Sequence, residues 1–366
     1  MNDMTCGERA VRCLIGESVD RVPFGVGIGW IPWGETLEQW RQETGEPDLS
    51  PAARLGFDGS FVLPQIVSGL WPEFEPVVLH EDDEHVTWRD EKGIVQRNVR
   101  AFGAIPQFLE YPVKNREDWE RIKSERLKID LKERIQQDWD QFRSHIASTG
   151  EAVQVGHFPY GMFGTPRDLM GVEALSIALC CEPDLVHDMM DNLTTLWLAL
   201  WEEVAKEVRI DHIHIWEDMA GKQGSLISPT MVREFMMPHY RRVVEFAASH
   251  GVKIVSGDSD GNVSELVPIM MEYGINAYLP FEVQAGCDII EYRKLYPTLG
   301  IIGGLDKRAL AGSRSDIDRE VERAARMVEK GRYIPGFDHC IPPDVPWVNF
   351  EYAAERLRKV CYGESG

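Results

Sequence analysis

Residues 252–262 read VKIVSGDSDGN: a five-residue, largely apolar run, VKIVS, that gives way to a loop of aspartates and glycines. A run this short, bounded by glycine and rich in β-branched residues, suits a strand buried on both faces; a helix needs ten or more residues. Comparable runs stand at 152–156 (AVQVG), 211–216 (DHIHIW), 276–280 (NAYLP), 299–302 (LGII) and 332–336 (RYIPG), and SFVL at 60–63 brings the strands to seven. Amphipathic helices lie between them. Residues 183–207 set Leu185, Met189, Leu193, Trp197, Leu200 and Val204 three or four apart, one buried stripe, with Pro183 in the first turn. Ser228-Pro229 opens a second helix, serine as N-cap and proline at the first helical position, expected to run to about Ser249 and stop at Gly251.

Strands alternating with helices over short connections define a parallel α/β protein. An open doubly wound sheet would normally show a glycine-rich phosphate loop, and no GxGxxG or GxxxxGK[ST] follows a strand here. A barrel is the expectation, with its eighth strand drawn from the N-terminal third, where the pattern is weakest. Residues 72–102 differ: VVLHEDDEHVTWRDEKGIVQRN reads as a β-meander with turns at Glu81–Asp83 and Lys92-Gly93. It is too short and polar to own a core, so it is expected as an insertion in a single domain spanning 1–366.

Composition bounds the function. With 366 residues, 43% hydrophobic and 27% charged, the chain can bury a substantial core. No stretch approaches the ~18 apolar residues of a membrane helix, and the first residues lack a signal-type apolar core. The seven cysteines (6, 13, 180, 181, 287, 340, 361) form no CxxC pair. Their scatter fits reduced thiols and a cytoplasmic location. A net charge of −21 would repel nucleic acid and anionic membranes. A homodimer is left open.

In a (β/α)₈ barrel, function sits on the loops after the strands. Those loops carry Glu217-Asp218, Asp258-Ser259-Asp260-Gly261-Asn262, Glu282, Asp306-Lys307 and Asp338-His339-Cys340. Carboxylates so gathered raise one another's pKa unless a cation joins them. A divalent metal, a split between protonated and ionised acids, or helix capping would each resolve the conflict. Capping applies above all to Asp260 and Asp306, which stand just before helices. His339 is a lone loop histidine, held by the stiff Ile341-Pro342-Pro343 turn; Cys340 reads as apolar filler or ligand. His212 and His214 share one strand face and read as packing or strand-end hydrogen bonding. Trp30 and Trp33 line a substrate pocket or form a packing lid. His157 stands equally open, and Tyr160 is a donor candidate toward substrate oxygen.

Five stretches, FGTPRDLMG (163–171), EDMAGKQGSLISPTMVREFMMPHY (217–240), DSDGNVSELVPIMMEYG (258–274), IIGGLDKRAL (301–310) and YIPGFDHCIPPDVP (333–346), together resemble the uroporphyrinogen decarboxylase superfamily over nearly the whole chain. The resemblance implies a (β/α)₈ TIM barrel with an N-terminal extension, which supplies the eighth strand. True decarboxylases carry an arginine pair in an Arg-Pro-x-Gly-Arg-Tyr stretch; here WIPWGETLEQW (30–40) has no arginine. A substrate with eight carboxylates would meet a chain at −21, which argues against it. The corrinoid-dependent methyltransferase branch binds zinc through His-x-Cys-Gly-Asn, a later glutamate and a cysteine before Gly-Ile-Pro-Pro. The corresponding places here read Asp258-Ser-Asp260-Gly-Asn, Glu282 and His339-Cys-Ile-Pro-Pro, so oxygen and imidazole replace thiolate.

That resemblance implies zinc held by Asp258, Asp260, Glu282 and His339, polarising a small methylated substrate. The methyl would pass to a cobamide on a separate corrinoid protein, since the chain has no Asp-x-His-x-x-Gly motif. Glu217 would deliver a proton or add a ligand. Tyr160 and Lys307 are the other catalytic candidates, and Trp30, Trp33, His157 and Asp306 the substrate-binding ones. A metal-free decarboxylase or lyase using Lys307 and His339, and a silent barrel acting as a binding subunit, are the alternatives.

Overall fold

The computed structural model describes residues 4–99 and 106–364. Seven parallel strands, β1 (Phe61–Val62), β2 (Ala152–Val155), β3 (His212–Trp216), β4 (Ile254–Asp258), β5 (Ala277–Leu279), β6 (Gly300–Ile302) and β7 (Tyr333–Ile334), pair in chain order as one curled sheet. Six fall within the short apolar runs, and β4 overlaps its run at 252–256 but extends to Asp258, which was expected in the loop. The register brings Asp258 level with Trp216 on one side and Leu279 on the other, so the loops that follow leave the sheet at one height.

Two cores flank the sheet. Outside, helices bury Ile213, Ile215, Val255, Tyr278 and Ile301. The helix Pro183–Glu207 supplies the expected stripe from Leu185 to Val204, every member buried. Inside the curl, Val26, Ala152, Ile254, Ala277, Leu279, Ile302 and Ile334 pack together. The amphipathic helix Cys6–Ile15 stoppers this interior at the N-terminal ends of the strands, through Ala10, Val11 and Leu14. The opposite end, where the loops emerge, carries the polar groups.

The eighth strand departs from expectation. Residues 22–33 span the gap between β1 and β7: Asp58 N donates to Phe24 O at 2.8 Å and Trp30 Nε1 to Pro335 O at 2.9 Å. Among the described residues no strand there pairs with either edge. Gly25 and Gly27 take φ of 77° and 99°, breaking the extended run that a ladder needs.

Ser228 caps its helix as expected, accepting from Met231 N at 3.2 Å. That helix contains a π segment, Val232–Met236, before continuing as Met237–Ser249. Pro238 cannot donate to the preceding turn, and widening the turn accommodates that loss.

The insertion is a four-stranded antiparallel sheet, Val77–Glu81, His85–Arg89, Val95–Val99 and Gln107–Glu110. It therefore extends past the expected end at 102; residues 100–102 lie outside the described residues. Both expected turns form: Asp82 Oδ1 accepts from Glu84 N and His85 N, and Gly93 (φ 82°) donates to Asp90 O. Lys92 ties the second turn to the main body through Asp168, 2.7 Å away.

Candidate active site

Glu217 leaves the end of β3 and turns inward, fully buried. Oε1 accepts from Met162 N (2.8 Å) and from the Tyr240 hydroxyl; Oε2 accepts from Phe163 N (2.6 Å) and Gly164 N (3.1 Å). Burial raises its pKa against these donors. A Cβ on Gly161 would lie 1.8 Å from Trp216 O and 2.7 Å from Glu217 Oε2, so only glycine lets this loop close over the carboxyl. Three backbone donors at the start of the helix Gly164–Met170, with the Tyr240 hydroxyl from the helix Met237–Ser249, make Glu217 an anchor for that loop. This corrects the expectation of proton delivery, because none of its oxygens is left to face a substrate.

Asp258, at the end of β4, is buried and its pKa is pushed well up, by burial first and then by the charges of Asp260 and Asp218. It stands 3.6 Å from His214 Nε2, too far for a hydrogen bond. Burial lowers the His214 pKa to about 4. Below them Ser256 Oγ sits 2.7 Å from His212 Nε2 and 2.8 Å from His214 Nδ1, a polar column inside the curl. The two histidines thus do what their shared strand face suggested.

Asp260 behaves differently. Its Oδ2 lies 3.4 Å from His339 Nε2, with side chains 39% and 22% exposed. The helix that follows begins at Leu266 with Glu265 at its cap position, so Asp260 caps nothing. Asp260, and next the Cys340 side chain, raise the His339 pKa to about 10 against burial, which keeps the imidazole charged at neutral pH. Trp33, 42% exposed, stacks on that ring with centroids 6.4 Å apart.

Beside this pair, four loops are knitted together. Glu282 Oε2 accepts from Gly261 N at 2.9 Å, and its Oε1 lies 3.8 Å from Lys307 Nζ. Lys307 also approaches Asp338 at 3.4 Å. Asp338 is fully buried and accepts from Val283 N (2.9 Å) and Lys307 N (3.2 Å). Its structural weight was missed in the sequence, although its place between a strand end and His339 was visible.

The remaining candidates disperse. Asp306 caps the turn Lys307–Ala311 and grips the Arg308 guanidinium at 2.6 Å, so the capping alternative holds for it. Trp30 is buried edge-on among Phe24, Phe57, Phe337 and Phe350: it is the packing lid, not a pocket wall. Burial lowers the His157 pKa, and its ring bonds the carbonyl of its neighbour Phe158. Tyr160 faces a cavity beneath the insertion, its phenol pushed up to about 12 by burial. Asp218, strained at φ 44°, pairs with Arg167, whose guanidinium lies 4.7 Å above the Trp216 ring.

Among the described residues, no three His, Cys, Asp or Glu side chains come close enough together to hold a metal ion. The expected four-ligand cage is therefore not formed as folded: Asp260 and His339 meet, Glu282 turns to Lys307 and Gly261, and Asp258 is sunk beneath them. The physical reason is that Glu282 is already engaged by Gly261 N and Lys307, while Asp258 packs against His214, away from the Asp260–His339 pair. The arrangement does not fit a resident zinc. No helix is long and apolar enough to cross a membrane.

A parallel α/β sheet with an acid, histidine and lysine cluster at its loop end defines the class. The family described as "Uroporphyrinogen decarboxylase (URO-D)" matches residues 99–360, and the chain belongs to that family. It is 20% identical over 202 residues to the chloroplastic uroporphyrinogen decarboxylase of Nicotiana tabacum, a match covering 54% of this chain and 48% of that protein. The chain thus spans about half the length of this curated relative. Among solved structures it is similar to a methyltransferase from Methanosarcina mazei, with TM-score 0.59, 17% identity, and 98% and 99% of the two chains covered. At that identity the likeness concerns the fold.

Proposed function

We propose that this chain is a small-molecule methyltransferase. It holds a methylated substrate at the mouth among Trp33, His339 and Lys307, and gives the methyl to a cobamide on a separate corrinoid protein. The observation that carries this reading is the Asp260–His339 pair, 3.4 Å apart and partly open to solvent. When a methyl–heteroatom bond breaks toward an acceptor nucleophile, the electron pair stays on the heteroatom, which then needs a proton. His339 supplies it, Asp260 favours the charged imidazole beforehand, and solvent restores the proton afterwards. Trp33 offers the substrate an apolar face. Zinc has no part in the proposal, and the structural likeness to a methyltransferase from Methanosarcina mazei supports it.

Tetrapyrrole decarboxylation fits less well. Residues 30–40 contain no arginine, and the mouth cations Lys307 and Arg167 are already paired with carboxylates. A second reading, decarboxylation of a smaller acid, is favoured by one observation: the match to the uroporphyrinogen decarboxylase family over residues 99–360.

The test is turnover of O- and N-methyl compounds with a reduced corrinoid protein. The expected result is methyl transfer that falls about 10²–10⁴-fold in kcat in His339→Gln. Release of CO₂ from a small acid without methyl transfer establishes the second reading. Decarboxylation of uroporphyrinogen overturns both.

A further inference from the structure

The helix Pro183–Glu207 carries Trp197 and Trp201 four residues apart, so the two side chains lie on one helix face, a turn from each other. That face packs against the loop after β1. Trp197 Nε1 donates to Ser68 O at 2.9 Å. One turn on, Trp201 Nε1 has no hydrogen-bond partner among the described residues, and neither has Ser68 Oγ. Both residues are sealed from bulk solvent, Trp201 at 2% and Ser68 at 3% exposure.

The two orphaned groups belong to residues that border the same chamber, whose volume is about 10 Å³. Met162, Ile215 and Trp197 give it apolar walls, and Tyr160 and His214 close it toward the sheet. His214 does not compete for a guest there, because its ring nitrogens face Ser256 at 2.8 Å and Asp258 at 3.6 Å. Neither orphan has room to seek another partner. The Trp201 ring is packed against Phe246, centroids 6.1 Å apart. The backbone around Ser68 is pinned by Arg134: Val67 N donates to Arg134 O at 2.8 Å, and Arg134 Nη1 donates to Val67 O at 2.9 Å and Gly69 O at 2.7 Å.

We infer that this chamber is a binding site for one water molecule, which accepts from Trp201 Nε1 and donates to Ser68 Oγ. An indole N–H only donates and a hydroxyl takes either role, so a molecule that both accepts and donates satisfies the two together. An apolar guest would leave both groups unpaired in a dry site, which is costly. The volume admits a single water and nothing larger. Tyr160 also borders the cavity beneath the insertion, so water reaches the chamber past that ring. The long helix and the loop after β1 are thereby latched twice, directly at Trp197 and through water at Trp201. That loop carries the chain from the sheet toward the insertion, so the water helps to fix where the insertion departs. The inference stands on the chamber and its two orphaned groups, independently of which reaction the mouth performs.

A crystal structure of the full chain, at a resolution that shows ordered water, tests it. One density peak is expected within about 3.2 Å of both Trp201 Nε1 and Ser68 Oγ. Ser68→Ala removes the acceptor, Trp201→Phe removes the donor and keeps an aromatic ring, and each should lose the peak. In solution, water-selective NMR on the protein labelled with ¹⁵N-tryptophan reads the same contact. The Trp201 indole signal, identified by its loss in Trp201→Phe, should show a long-lived water that disappears in Ser68→Ala. In urea denaturation, Ser68→Ala should lower the midpoint in the wild type and barely move it in the Trp201→Phe background, where the bridge is already broken. An empty chamber, two waters, a direct bond from Trp201 Nε1 to a protein atom, or a water unmoved by Ser68→Ala would overturn the assignment.

Discussion

Glu217 and Asp260 emerge from neighbouring strands at the same end of the sheet, and they have opposite fates. Glu217 is fully buried under four hydrogen-bond donors, three of them backbone N–H groups. Asp260 is 39% exposed and faces a single imidazole. Both are acids on loops that follow parallel strands, and that description does not separate them; the number of donors each has already satisfied does. A carboxyl whose acceptors are full holds a loop in place, whereas one with spare acceptors and a charged partner can do chemistry.

The comparison predicts its largest contrast in stability. Glu217→Ala strands three backbone N–H groups and the Tyr240 hydroxyl in a dry site, and should cost about 3–5 kcal/mol or prevent folding. Asp260→Ala, at an exposed pair, should cost under about 1 kcal/mol. Urea denaturation of the two variants measures the difference, and equal costs would break the distinction. His339→Gln should reverse the order: activity falls about 10²–10⁴-fold while the denaturation midpoint barely moves.

A pH series sharpens this further. The folded His339 pKa, about 10, lies above its ordinary value near 6.5. The pair's stabilisation is therefore fully present below about pH 6.5 and is lost as pH rises toward 10. With side chains 22% and 39% exposed, solvent screening limits it to at most about 1 kcal/mol. The stability gap between wild type and His339→Gln should shrink from pH 6 to pH 10; a gap that widens contradicts the sign. Asp306→Ala loses only a helix cap, about 1 kcal/mol in a thermal melt, with turnover unchanged.

Much of the scaffold was legible because strand length and helix period are local properties. All seven parallel strands, the helix from Pro183 to Glu207 and the Ser228 cap follow from patterns within a few residues. The edge that residues 22–33 cover was not legible, since Gly25 and Gly27 break the strand while leaving the residues near it. The site divides similarly. That Asp260 and His339 belong together was visible from the loops they end. Asp306 as a cap, Trp30 as core and Asp338 as the hub for Val283 and Lys307 depend on where side chains turn. A sequence pattern places a residue at the mouth but does not count the donors waiting there.

The central claim is that Asp260 keeps His339 charged at the mouth. Carbon-13 NMR titration of the His339 ring in wild type and Asp260→Asn measures it without substrate. Wild-type His339 should stay protonated through pH 8 and titrate near 10, and Asp260→Asn should return it toward the ordinary histidine value. A wild-type ring that titrates near 6.5, or one unmoved by Asp260→Asn, would contradict the account.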